Sequence, residues 1–360
     1  MIRTLVLAFG ATTSAMSVAA VFPTHDVAQC AARGPVPLRT PVSAVERAAT
    51  PLAMQGNAFI SVASSRQVII LDLRTGARTA LDARIGDPHE VAVSPDGRWG
   101  VAADFGNYTG DYNFSGRRLA VFDLKAKRFA RVIDLGNHQG PHDVIFISPT
   151  RLVVTTQTTR EVIEVDVVTG RIVGATETRA KGSHTLAVSR DGRLAFTANQ
   201  PEGSLSRLDL VNRRFLGKHV IGRGSTEGIA VTPDGKEVWM GFNELGAVLV
   251  VDGLTGVVRD TIRGFEMPER MVMTRDGRYA VITDFRCETV QVADVRARRL
   301  LGPIEGLEGA GIAKVLPDHR TALVLLLDER VLAMVDLQTR RVIARHALGG
   351  ARPDAADWGP

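Results

Sequence analysis

An aspartate that closes an apolar run recurs at Asp72, Asp123, Asp166, Asp209, Asp252, Asp294 and Asp336, at separations of 51, 43, 43, 43, 42 and 42 residues. A period of this length means one supersecondary unit repeated, either stacked in a line or set around an axis. Each unit has the same internal grammar. In the fifth, Gly228-Ile-Ala-Val-Thr leads to Pro233-Asp-Gly, then Glu237-Val-Trp-Met, Ala247-Val-Leu-Val-Val-Asp252, Thr255-Gly and Val257-Val-Arg-Asp-Thr-Ile262. Four short runs rich in β-branched residues alternate with turn chemistry. Asp-Gly, at Asp96, Asp191, Asp234 and Asp276, separates the first two runs and suits tight hairpins that need positive φ.

This grammar predicts an all-β fold, a seven-bladed β-propeller of four-stranded antiparallel blades, because each small sheet then buries both faces against its neighbours. A parallel β-helix is the structural alternative, but its repeats are shorter and lack the Asp-Gly hairpins. The first recognisable unit, from Ala58, starts at its second strand, and residues 353–360 look like a first strand with no sequel. The C-terminal strand is therefore expected to join the first blade and close the ring, which removes the exposed edges of an open one.

Pro88-His-Glu-Val-Ala-Val-Ser-Pro-Asp-Gly97 and Ser183-His-Thr-Leu-Ala-Val-Ser-Arg-Asp-Gly192 resemble the repeat of the YVTN seven-bladed propellers, over about residues 54 to 360. The namesake tetrapeptide is degraded to Val101-Ala-Ala-Asp, Phe196-Thr-Ala-Asn and Ile282-Thr-Asp. That group includes lactonase-like enzymes, so the resemblance implies a fold far more firmly than an activity.

Residues 1–20 read as a signal peptide: Arg3 gives the positive start, Leu5 to Phe9 begin an apolar stretch, and Val18-Ala19-Ala20 forms a small-residue cleavage site. Residues 21–53 form an N-terminal arm and residues 54–360 the propeller, expected in the periplasm or outside the cell. Gly10, Thr12, Thr13 and Ser14 interrupt the apolar stretch, and no later segment is long enough to span a bilayer. Cys30 and Cys287 could pair there or stay as two separate thiols. The net charge of +5 is scattered, with no Lys/Arg run longer than a pair, so nucleic acid is not favoured as a partner. A small molecule or protein at the channel mouth is expected instead, met by a monomer.

The residue leading into each first strand reads His89, His142, His184, Glu227, Glu269, Ala310 and Asp354. Radial repetition brings these to one rim, where His89, His142 and His184 could hold a divalent metal ion and Glu227 or Glu269 could move a proton. Local hydrogen bonding to loop backbone is the alternative role. Because successive strand residues face opposite sides, Glu90, Asp143 and Arg270 could point inward instead. Asp104, Gln157, Asn199, Asn243, Asp284 and Asp328, where second strands end, could extend a ligand site or initiate turns. The aromatic loop from Phe105 to Arg117, with Tyr108 and Tyr112, breaks the symmetry and suits a lid, a recognition surface or a neutral insertion. Two functions follow as expectations: a non-catalytic binding protein, or a metal-assisted hydrolase or lyase resembling the lactonase-like propellers.

Overall fold

The computed structural model describes residues 55–360. The expected signal peptide, the whole of the expected arm (residues 21–53) and Cys30 lie outside the described residues. Seven four-stranded sheets form the ring, and a two-stranded hairpin of Tyr108–Gly110 and Asn113–Phe114 stands apart from them. All neighbouring strands pair antiparallel, and Asn57–Val62 pairs with Ala356–Gly359 as well as with Gln67–Asp72. The ring thus closes as the sequence predicts, with Ala356–Gly359 as the inner strand of the first blade. The other inner strands are Pro88–Val93, Pro141–Phe146, Ser183–Val188, Thr226–Val231, Pro268–Met273 and Ala310–Val315, in blades two to seven.

The second and third strands of each blade are buried almost throughout, as in Glu237–Phe242 and Ala247–Asp252, because both of their faces pack on neighbouring blades. Phe59 meets Phe122 across the junction of blades one and two with ring centroids 5.4 Å apart, and Trp239 is fully buried between blades five and six. The periodic aspartates are structural. Asp166 Oδ1, for example, accepts hydrogen bonds from the backbone of Val168 and Thr169 and from the Thr169 hydroxyl, which fixes the turn after its strand.

The register slips once in every inner strand of blades two to seven, at the residues that follow the loop: between Pro88 and Val91, Pro141 and Val144, Ser183 and Thr185, Thr226 and Ile229, Pro268 and Arg270, and Ala310 and Ile312. A bulge there leaves backbone groups outside the ladder, and hydroxyls recover them in blades three and six. Thr155 Oγ1 accepts from Asp143 N and donates to the His184 carbonyl of the next blade; Thr283 does the same between Arg270 N and the Gly311 carbonyl. Ser61 links Ala355 N to the His89 carbonyl in the same way. These links lock the irregular turn of one inner strand to that of its neighbour.

No helix among the described residues is long and apolar enough to cross a membrane. Cys287 is disulfide-bonded.

Candidate functional site

The bulges resolve which residues face the channel: both sets do. His89, His142, His184, Glu227, Glu269 and Asp354 form a layer near the rim, and Glu90, Asp143 and Arg270 meet it from one residue further in. A strict two-residue alternation would have excluded one set or the other.

The layer is connected from blade to blade. Asp354 Oδ2 lies 2.8 Å from His89 Nδ1, and His89 Nε2 lies 3.1 Å from His142 Nε2. The His142 and His184 rings pack at a 32° tilt with centroids 3.7 Å apart. His184 reaches Gln157 Oε1 at 2.9 Å through Nδ1 and Glu227 Oε2 at 2.9 Å through Nε2. Arg270 then gathers the carboxylates, with Nη2 3.2 Å from Glu90 Oε1 and Nη1 3.5 Å from Glu227 Oε2 and 3.9 Å from Glu269 Oε1. Gln200 Nε2 donates to the second Glu227 oxygen. Lys314 stands 4.0 Å from Asp357, whose other oxygen accepts from Val93 N at 2.8 Å.

Burial sets the proton inventory. It would lower His89, but the Asp354 carboxylate, charged and hydrogen-bonded, raises that ring to about 9. His89 is therefore the donor in the pair with His142, whose own protonation is pushed well down by burial and by the positive charges around it. The Nδ1 of His142 has no partner of good geometry, only a weak approach to the His184 backbone. Burial also lowers His184 against the pull of Glu227. Glu227 is held down to about 2, because the His184 contact, Arg270 and Gln200 outweigh its burial. An ionised Glu227 accepts the Nε2–H of His184, while Gln157 faces Nδ1 with its amide oxygen. Burial raises Glu269 to about 7 despite Arg270, and raises Asp143 to about 6, aided by Glu90 and opposed by Lys314. A carboxyl that titrates near neutrality beside a buried arginine can hold or release a proton under ordinary conditions.

The aromatic loop folds over one side of this layer. Phe105 stacks on His89 at 5.1 Å and 13°, meets His142 edge-on at 4.5 Å, and stacks on Phe114 at 3.6 Å. Thr158 Oγ1 ties Phe114 through both its N–H and its carbonyl, and Gln157 Nε2 donates to the Tyr112 carbonyl. Gly116 lets the hairpin return, since a Cβ there would sit 1.7 Å from the Asp104 carbonyl oxygen. Tyr108, paired with Phe114 in the hairpin, stays 46% exposed.

A cavity lies on the other side of the layer. It holds about 610 Å³ and runs from Glu90, Asp143 and Arg270 to Pro95, Asp191 and Arg275 in the Asp-Gly hairpins. Leu186, Ile229 and Ile312 give it apolar walls, and Lys314 adds a second cation. The rim where the sequence placed the channel mouth is thus the end that the hairpin overlies, because Phe105 packs inward on the imidazoles and Phe114 packs on Phe105.

The remaining candidate residues separate from this layer. All four hydrogen-bonding positions of the Asn199 amide are engaged, by Ser183, Thr197, Ser204 and Ser206. Asp104 accepts from Asp87 N, and Asp284 accepts from the backbone of Glu266 and Met267. Asn243 keeps its Oδ1 buried without a partner, and Asp328 pairs with Arg352. Of this second set only Gln157 touches the histidine layer. Gln200, Lys314 and Asp357 carry the site without having been singled out in the sequence. A lysine within the otherwise apolar inner strand Ala310–Val315 was the available signal, because an unpaired buried ammonium is not tolerated.

The chain matches no protein-family model and no curated protein.

Proposed function

We propose that this chain is an exported, YVTN-like β-propeller that binds a small polar molecule in its channel without transforming it. The observation that carries the reading is the cavity of about 610 Å³ with apolar walls and an inner end of convergent charged groups, Glu90, Asp143, Arg270 and Lys314. Small-molecule sites combine these two features, the walls supplying affinity and the few polar groups orientation. Both cations already face carboxylates, so the fitting ligand is uncharged or zwitterionic and rich in hydroxyl, carbonyl or amine groups. The disulfide at Cys287 supports export, since such bonds persist in oxidising compartments.

Calorimetric titration of the purified chain with a panel of sugar lactones, hydroxy acids and amino acids tests this. Saturable binding of at least one member, recovered unchanged, is expected. Absence of binding across the panel contradicts the proposal.

A second reading, a lactonase-like hydrolase or lyase, is favoured by one observation: Glu269 titrates near 7 with its Oε2 buried and without a partner. A carboxyl so poised suits general acid–base work. Turnover of a lactone by the chain, lost in Glu269→Gln, would establish this reading in place of binding alone.

A further inference from the structure

We propose that His89 Nε2, His142 Nε2 and the Glu90 carboxylate form a site for a divalent first-row transition ion such as Zn²⁺, held behind the inner end of the channel cavity and open towards it. The inference deepens the reading of the channel as a ligand site and differs from the three-histidine set that the sequence suggests.

The geometry selects these three residues. One ligand atom from each lies within 4.8 Å of the others, and no further group of this kind exists among the described residues. The two Nε2 atoms are 3.1 Å apart, close to the roughly 3.4 Å expected for two nitrogens about 2.1 Å from a tetrahedral ion. Rotation of the Glu90 side chain closes the longer gaps. Its Oε1 faces Arg270, which leaves Oε2 for the ion. His184 does not take part, because Gln157 and Glu227 occupy its two nitrogens.

The surroundings are those a metal centre needs. A ligating histidine usually gives its other N–H to a carboxylate, which fixes the ring and its tautomer, and Asp354 stands 2.8 Å from His89 Nδ1 in that role. Asp354 is thus a positioning residue. Phe105 covers both imidazoles on the hairpin side, while Glu90 also lines the cavity. Three protein ligands, a covered back and an approach from a cavity leave a fourth position for water or for the donor atom of a bound molecule. Charge agrees: Glu90, Asp143, Glu227, Glu269, Asp354 and Asp357 outnumber Arg270, Lys314 and His89, so a cation is the complement the cluster lacks. Binding replaces the shared His89–His142 proton, which is released to solvent.

The test is titration of the chelator-stripped full chain with Zn²⁺ by calorimetry and with Co²⁺ by visible absorption, beside the Glu90→Gln, His142→Gln, Asp354→Asn and His138→Ala variants, each checked for folding by circular dichroism. One ion per chain is expected, with Co²⁺ ligand-field bands. Glu90→Gln and His142→Gln should weaken binding at least tenfold, Asp354→Asn about 10- to 100-fold, and His138→Ala, whose ring pairs with Glu161 outside the layer, should change nothing. Absence of binding, or binding that survives Glu90→Gln and Asp354→Asn undiminished, overturns the proposal. The near-isosteric Glu90→Gln and Asp354→Asn keep the test decisive should His142→Gln misfold. Repeating the ligand panel in chelator reads the channel proposal separately, since binding there persists if only the metal site is wrong.

Discussion

Replacing Arg270 by methionine is expected to lower stability by about 3–5 kcal/mol, the cost of removing one partner from a buried charge cluster. The guanidinium is the hub of the layer: it faces Glu90, Glu227 and Glu269 from three different blades. Burial opposes its charge, yet the surrounding carboxylates raise its pKa further, so it stays ionised under all ordinary conditions. Without it those carboxylates share a water-poor channel with no central counter-charge, and they take up protons or admit water. The defect should therefore shrink as the pH is lowered from 7 to 5, because protonation relieves the same repulsion. Urea denaturation at the two pH values checks both points. A loss below about 1 kcal/mol, typical of exposed ion pairs, would show that the cluster is solvated and not buried.

The second large effect is on pH dependence. In chelator, stability is expected to fall as the pH rises from 6.5 to 9, above the range in which the lowered His142 and His184 act in the opposite sense, by several kcal/mol at about 1.4 kcal/mol for each unit of pKa difference. Asp143 and Glu269 titrate near 6 and 7 in the folded chain, above the ordinary 3.8 and 4.5. Their protons are retained on folding, so their contribution is full below the unfolded values and is lost as the pH passes 6 and then 7. His89 is raised from 6.5 to about 9 by Asp354, so its contribution is full below 6.5 and is lost as the pH passes 9. Glu227, held near 2, acts in the opposite sense, but its contribution is lost only in strong acid, well below this range. Denaturation midpoints across the range, with Glu269→Gln flattening the step near pH 7, are the measurement. A midpoint that stays flat or rises with pH contradicts the proton inventory of the layer.

Much of this was legible in the chain itself. The aspartate period and the Asp-Gly pairs dictate four-stranded units, and the incomplete units at the two ends dictate how the ring closes. Both follow from local turn chemistry and strand length, which act over a few residues. The ring of His89, His142, His184, Glu227, Glu269 and Asp354 followed from aligning the units. What the alignment could not carry was the bulge at the start of each inner strand. A slip of one residue brings Glu90, Asp143 and Arg270 to the channel together with the rim residues, and hydrogen bonds such as Thr155 to the His184 carbonyl, between residues of adjacent blades, hold it. The open end of the channel was equally out of reach. It depends on Phe105 packing on the imidazoles, a contact between a blade-two insertion and rings that it meets only in three dimensions.

The central claim is that ligand enters through the Asp-Gly end and rests on the charged floor, not on the rim beneath the hairpin. Affinity for a bound member of the ligand panel, compared between Val231→Trp and Tyr108→Ala, tests it most directly. Val231 lines the cavity towards the Asp-Gly turns, and Tyr108 is an exposed aromatic of the hairpin. Val231→Trp should abolish binding by filling the passage, and Tyr108→Ala should leave it unchanged. Loss of binding in Tyr108→Ala with Val231→Trp intact would place the site on the rim and contradict the account.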